Sequence, residues 1–315
     1  MAKVSIIIPN YNHSEFLTDR LQTIVNQTYK DWEAIIIDDK STDASVQIIE
    51  KFLEENPIFK IKHFIKNTQN SRSGYYSWKK GIELAQTEYI WIAETDDYSD
   101  LTFLEEQISV LEQNKSATLS FCTSNYVENE KIIYNSTKRT KDLNVLDGES
   151  NVFNEKVLID KMPFNTYITN GSAVLFRKPL KPIPEIIFNN KQTSDLFLWT
   201  FLIQNSDFIF LNKKLNFFRR HETSTTTINN KENRENLYYE YVAYLNYFQS
   251  PIKTIRSVIY DYILNFVFAK ENKKSYFYLA PLKKIASLNR IQLYSILFKM
   301  YVQVLISKIN MKLHA

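Results

Sequence analysis

The sequence predicts an open, mostly parallel α/β sheet flanked by helices, followed by a helical C-terminal extension. Three observations carry that expectation. Short apolar, β-branched runs alternate with stretches of helical apolar periodicity over the first 120 residues, the pattern of strands covered on both faces. Polar and acidic residues follow each strand immediately, where ligands bind in such sheets. At 315 residues, 44% apolar and 23% charged, the chain holds enough material for one large α/β domain plus an appendage.

The elements follow in order. Val4–Ile8 is a buried strand ended by Pro9, and Phe16, Leu17, Leu21, Ile24 and Val25 share one helical face. Ala34–Ile37 is a second strand running into Asp38-Asp39; Asp43 then caps a helix in which Val46, Ile49, Phe52 and Leu53 align. Lys60–Ile65 is a third strand, and Tyr75, Trp78, Ile82 and Ala85 mark the next helix. Tyr89–Ala93 is a fourth strand, followed by Glu94-Thr95-Asp96-Asp97. A helix carrying Leu101, Leu104, Ile108 and Leu111 leads to a fifth strand, Ala117–Phe121. The alternation then stops, and residues 125–165 read as polar and irregular. A strand is expected at Ile168–Arg177, a helix over 194–204, strands near 207–211 and 214–218, and helix from about 232 onward.

Composition excludes several chemistries. A single cysteine, Cys122, rules out a disulfide framework and Cys-cluster zinc sites, and fits a reducing compartment. The four glycines (74, 81, 148 and 171) form no GxGxxG, P-loop or nucleophile-elbow spacing. No two of His13, His63, His221 and His314 lie three to five residues apart, which removes HExxH and finger-like sites. No signal-peptide pattern or spanning apolar run is present, so a cytoplasmic protein is expected. Net charge is +4 but uneven: residues 251–315 carry +9 and residues 1–250 carry −5. That basic, apolar-interleaved tail suits either peripheral contact with the inner face of an anionic membrane or a helical bundle packed on protein. It holds no recognised nucleic-acid module, so no nucleic-acid partner is expected.

The acidic cluster carries the chemistry. Glu94, Asp96 and Asp97 emerge together from a buried strand, where like charges require a counter-charge. A hard divalent cation would supply it and would neutralise a departing diphosphate. The plain alternative is a solvated acidic turn. Asp38-Asp39 is a second acidic pair at the same edge, able to accept from a base N–H or ribose hydroxyl, or simply to cap the next helix.

Taken together, Val4-Ser-Ile-Ile-Ile-Pro-Asn-Tyr-Asn, Gln27-Thr-Tyr, Trp32-Glu-Ala-Ile-Ile-Ile-Asp-Asp-Lys-Ser-Thr-Asp and Tyr89-Ile-Trp-Ile-Ala-Glu-Thr-Asp-Asp resemble the family 2 glycosyltransferases of the GT-A (Rossmann-like) fold. The likeness is dense over residues 1–110, thins through 120–165 and resumes to about 224. It implies a catalytic domain over 1–230, with a nucleotide-binding half (1–115) and an acceptor-side half (116–230), and a basic helical region over 231–315. It further implies a bacterial, inverting transferase moving sugar from a nucleotide-diphosphate donor, UDP-linked in most relatives, to a hydroxyl of a glycan or lipid-linked acceptor.

Residue by residue, the resemblance assigns Pro9 and Tyr11 to the loop beside the base and Asp38 to reading the base. It assigns Glu94 and Asp96 to the ribose and diphosphate, and Asp96, Asp97 and His221 to Mn²⁺ or Mg²⁺. Asp195, in Thr193-Ser-Asp-Leu-Phe-Leu-Trp199, matches the general base, which takes the acceptor hydroxyl's proton. Leu215-Asn-Phe-Phe-Arg-Arg-His221 matches a Leu-Asn…Arg-x-His segment, and Thr169-Asn-Gly-Ser-Ala173 an acceptor-side loop in which Gly171 allows close approach of a sugar. The sequence departs from the pattern at Glu94 (commonly Asp), Lys40 and Gln69 (commonly Gly), Ser194 (commonly Glu) and Trp78-Lys79 (often Arg-Asn), leaving Arg72 or Lys79 as phosphate or base contacts. A nucleotidyltransferase would share the carboxylates and metal but needs a Gly- and Arg/Lys-rich loop after strand one, absent at Pro9–Asn12. A non-catalytic nucleotide-sugar or glycan-binding module with an altered site is the other alternative.

Overall fold

The computed structural model describes residues 2–164, 167–221, 234–267 and 279–313. The chain forms two compact units, Met1–Ser224 and Thr225–Ala315. The boundary expected at 230/231 lies outside the described residues.

The first unit opens with four repeats of strand and helix. These are β1 (Val4–Asn10), α1 (Ser14–Val25), β2 (Trp32–Asp38), α2 (Ser45–Glu55), β3 (Ile61–Lys66), α3 (Gly74–Leu84), β4 (Tyr89–Ile92), a two-residue β5 (Tyr98–Ser99) and α4 (Phe103–Gln113). Strands β1, β2 and β4 read as continuous apolar runs because helices cover both faces; Ile6, Ile7, Ile8, Ile35, Ile36 and Trp91 have no exposed surface. Each such side chain withdrawn from water stabilises the fold by about 1.5–3 kcal/mol. β3 is half-exposed, as an edge strand should be.

The second half of the unit adds β6 (Ala117–Glu128), β7 (Lys131–Asn135), a single-turn α5 (Thr137–Thr140), β8 (Ser150–Asn154), α6 (Glu155–Ile159), β9 (Val174–Arg177), α7 (Ser194–Ile203) and β10 (Asp207–Arg219). The ten strands make one sheet of order β3-β2-β1-β4-β9-β6-β10-β5, with β7 on β6 and β8 on β10. β1, β2, β3 and β4 run parallel, as do β6 and β10, while β5, β7, β8 and β9 run antiparallel to their neighbours. The expected open, mostly parallel sheet is therefore present, with antiparallel insertions in its second half.

Three expectations change in detail. Residues 125–164 are not irregular throughout: they finish β6 and supply β7 and β8, five-residue strands too short and too exposed to show an alternating pattern in sequence. The two strands expected at 207–211 and 214–218 are the single β10, whose register against β6 shifts between Leu211 and Lys214. The strand expected at Ile168–Arg177 is shorter, because Gly171–Ala173 forms a tight turn before Val174.

Close packing of helix on sheet fixes one glycine. A Cβ on Gly81 of α3 would stand 2.3 Å from Cγ2 of Ile7, so only glycine lets the helix sit this near β1. Cys122 on β6 is buried, and burial pushes its thiol up to about 12, which makes it an inert apolar group. The second unit contains α8 (Arg234–Tyr247), α9 (Ile252–Tyr262) and α10 (Arg290–Leu313) around buried Ile259, Tyr262 and Val304. Among the described residues no helix is long and apolar enough to cross a membrane.

Candidate active site

The carboxyl ends of β2, β1 and β4 lie side by side and set the site. The loops after β1 and β2 are stitched together. Asn12 donates its backbone N–H to Ser41 (2.9 Å), and its side-chain oxygen accepts from the Thr42 N–H (2.7 Å). Asp38 is 1% exposed and accepts from Asn10 Nδ2 (2.8 Å) and the Ser41 N–H (3.0 Å). Asp39 turns instead to the loop after β3, accepting from Asn67 Nδ2 (2.8 Å) and from the Ser71 hydroxyl (2.7 Å) and N–H. Lys40, where a glycine is common, is held at φ 64, and Arg72 at φ 63. Both sit in the left-handed region that side chains disfavour. Tyr11 is 45% exposed beside half-buried Pro9, so its ring is available at the rim. Arg72 is exposed near this edge, whereas Lys79 is committed to surface pairs with Glu185 (3.0 Å) and Glu83.

The acidic turn after β4 closes through the Asp97 N–H on the Glu94 carbonyl (3.2 Å). Its counter-charge is partly internal. Arg20, on the inner face of α1, has no exposed surface. It donates Nε to the Glu94 carbonyl (2.8 Å) and Nη2 to the Ser172 hydroxyl (3.0 Å). Burial lowers the Arg20 guanidinium to about 10, against the pull of Asp97, Asp96 and Glu94, so it stays charged at neutral pH. The three acids titrate differently. Burial first, then Asp96, Asp97 and Asp195, push Glu94 well above the usual carboxylate range. Burial and the Asp96 charge push Asp97 up to about 7. Burial also opposes ionisation of Asp96, but the His221 hydrogen bond and the His13 and His221 rings outweigh it and hold that carboxyl low.

Asp97, expected at the metal, is built into the wall: its oxygens accept from the Arg219 N–H (3.2 Å) and from Asn170 Nδ2. Asp96 faces two imidazoles. Nε2 of His221 lies 3.2 Å from Asp96 Oδ2, and the His13 and His221 ring centres are 5.9 Å apart, with Phe16 packed against both. One ligand atom each from His13, Asp96 and His221 lies within 4.8 Å of the others. Two nitrogens and a carboxylate oxygen at this spacing form a donor set that a divalent cation fits.

Asp195, in the first turn of α7, is half-buried and close enough to Glu94 to raise its proton affinity. The structure thus brings Asp195, Glu94, Asp96 and His221 to one region. Asp38 stands two strands away, about 10 Å at the usual strand spacing. The close approach that Gly171 permits is made by a neighbouring ring: a Cβ there would meet Trp78 at 2.8 Å, with Glu94 Oε2 at 3.6 Å. Two groups escaped the sequence reading. His13 carried no spacing signal, because its partners lie 83 and 208 residues away. Arg20 had a signal, a charged residue within the apolar stripe of Leu17, Leu21 and Ile24.

Residues 5–183 match the model of the family described as "Glycosyl transferase family 2". The chain belongs to glycosyl transferase family 2. Among relatives of this family 2 chain, a glycosyltransferase of Haemophilus influenzae without assigned specificity is 28% identical over 203 residues, 62% of this chain and 78% of the relative. The GalNAc(5)-diNAcBac-PP-undecaprenol beta-1,3-glucosyltransferase of Campylobacter jejuni is 23% identical over 95% of this chain and 88% of its own. The poly(ribitol-phosphate) beta-glucosyltransferase of Bacillus spizizenii is 34% identical over 36% of this chain, and the match spans only 18% of that enzyme. Of solved structures, S. aureus TarS 1-349 in complex with UDP superposes with a TM-score of 0.63 at 17% identity, covering 96% of this chain and 90% of TarS. The Pyrobaculum calidifontis mannosyltransferase PcManGT in complex with GDP-Man and Mn²⁺ gives 0.58 at 12% identity, covering 98% and 87%. The family 2 chain accordingly has the GT-A fold and is a nucleotide-sugar glycosyltransferase.

Proposed function

We propose that this transferase is metal-dependent and inverting, and moves a sugar from a UDP-linked donor to a hydroxyl of a glycan or lipid-linked acceptor in bacterial surface polysaccharide synthesis. The observation that carries the reading is the gathering of Asp195, Glu94 and Asp96 beside two imidazoles at the carboxyl edge of the parallel strands.

Each group has a chemical task. Tyr11 and Pro9 flank the base, the Asp38 carboxylate accepts from its N–H, and Arg72 reaches a donor phosphate or the base. Glu94 and Asp96 face the ribose and diphosphate. Asp96 and His221 hold Mn²⁺ or Mg²⁺, which when bound neutralises the charge gathering on the departing diphosphate. Asp97 braces the turn through Asn170 and the Arg219 N–H. The Asp195 carboxylate takes the acceptor hydroxyl's proton as its oxygen attacks the anomeric carbon opposite the leaving group, inverting the centre. Two features support the UDP donor and surface acceptor: the TarS complex holds UDP, and the Campylobacter relative is named for an undecaprenol-linked substrate. On the second unit, α10 exposes Ile291, Tyr294, Phe298 and Ile306, a surface suited to peripheral contact at the cytoplasmic membrane face.

The test is UDP release from a panel of UDP-sugars with Mn²⁺. The wild type should release UDP slowly without acceptor, and Asp96→Ala should abolish release while UDP binding stays measurable. Binding without turnover of any donor, with or without an acceptor mixture, would mark a non-catalytic module instead.

A further inference from the structure

We propose that His13 is a third protein ligand of the site's metal, making a two-histidine, one-carboxylate set with Asp96 and His221 that selects a first-row transition ion over Mg²⁺. The inference rests on the metal-dependent reading above and deepens it.

The first support is the hydrogen-bonded chain behind His13. The Thr95 hydroxyl donates its only proton to the Pro9 carbonyl (3.0 Å), so it can only accept from His13 Nδ1 (2.8 Å). That bond places the imidazole proton on Nδ1 and leaves the lone pair on Nε2. An outer partner that fixes tautomer and ring orientation in this way is the usual support of a metal-binding histidine. The second support is position. His13 is the residue before α1, and its carbonyl accepts from the Phe16 and Leu17 N–H groups (3.0 and 3.2 Å), so the backbone beneath the ring is fixed. Phe16 packs edge-on against the ring with centres 6.0 Å apart, limiting its rotation. The third support is spacing. Ligand atoms on adjacent corners of an octahedron with bonds of about 2.1 Å stand about 3 Å apart. His221 Nε2 and Asp96 Oδ2 stand 3.2 Å apart, close to that value, and the His13 ligand atom lies within 4.8 Å of both, near enough for a small side-chain movement to bring it to the same ion.

The donor set determines which ion fits. Mg²⁺ favours oxygen ligands and retains its waters, whereas imidazole favours the later divalent ions of the first transition row. Asp97, whose oxygens are occupied by Asn170 and the Arg219 N–H, stands outside this set.

The test uses the full-length chain stripped with EDTA and free of nucleotide. Titration with Mn²⁺ and Mg²⁺ should show Mn²⁺ bound at least about tenfold tighter. His13→Ala should weaken Mn²⁺ at least about tenfold and leave Mg²⁺ within about threefold. Pulsed EPR of Mn²⁺ on the wild type should show two imidazole nitrogens, and His13→Ala one; the wild-type spectrum decides the matter even if the variant folds poorly. One imidazole in the wild type, unchanged Mn²⁺ affinity in a folded His13→Ala, or Mg²⁺ bound as tightly as Mn²⁺ would overturn the proposal. If any of these occurs while the wild type still releases UDP in an Asp96-dependent manner, the His13 assignment alone falls. Absence of UDP binding and turnover with every donor would instead remove the transferase reading beneath it.

Discussion

Replacing Arg20 by methionine keeps much of its apolar stem and removes the only buried cation whose side chain hydrogen-bonds the Glu94 turn among the described residues. Two charged hydrogen bonds are lost, Nε to the Glu94 carbonyl at 2.8 Å and Nη2 to Ser172 at 3.0 Å. At about 1.5–3 kcal/mol each they amount to roughly 3–6 kcal/mol, in line with about 3–5 for breaking a buried charge pair. For a unit of this size that lowers the midpoint by roughly 6–24 °C. The loss depends on pH, with a definite sign. Burial and Asp96 already raise the Asp97 carboxyl to about 7, and Glu94 lies well above its ordinary value. Without the guanidinium both rise further. A carboxyl raised on folding favours the native state when protonated, and that support vanishes as pH climbs through its folded value. The destabilisation of Arg20→Met is therefore smallest near pH 5 and largest above pH 8. Thermal and urea unfolding in EDTA at pH 5.5 and 8.0 would measure it, and added Mn²⁺ should restore part of the loss at pH 8. A loss below about 1 kcal/mol at both pH values, or a larger loss in acid, would refute the idea that Arg20 neutralises the acidic turn.

Other outcomes follow from the same geometry. Gly81→Ala places a Cβ 2.3 Å from Ile7 Cγ2 and should cost about 1–3 kcal/mol in urea unfolding, with Ile7→Ala recovering part of it in a double-mutant cycle. Lys40→Gly relieves a side chain at φ 64 and should stabilise by about 0.5–1 kcal/mol, read as a rise in the unfolding midpoint. Asp195→Asn should lower kcat by about 10²- to 10⁴-fold while UDP affinity by calorimetry is unchanged, since the base acts on the acceptor proton and not on the nucleotide.

Much of the nucleotide half is legible in the amino-acid sequence, and the reason is local. The runs Val4–Ile8, Ala34–Ile37 and Tyr89–Ile92 are each buried on both faces, so apolar continuity alone marks them as strands, and the residues just beyond them must fall at one sheet edge. That logic locates Asp38, Glu94 and Asp96. The insertions are not legible, because β7 and β8 are five residues each and carry their apolar residues (Ile132, Ile133 and Tyr134; Val152 and Phe153) consecutively and exposed or half-buried, so their pairing with β6 and β10 leaves no apolar period.

The order of strands and helices, and the presence of carboxylates at strand ends, are matters of neighbours along the chain and can be read there. Which acids share a field, and with what, emerges when the chain is folded. Folding turns Asp97 onto Asn170 and the Arg219 backbone, puts Arg20 beneath Glu94, and brings His13 from the loop after β1 to His221 after β10. Those pairings depend on distance through space between residues tens to hundreds of positions apart. Charge interaction and ligand geometry act on that distance, and no spacing along the chain encodes it.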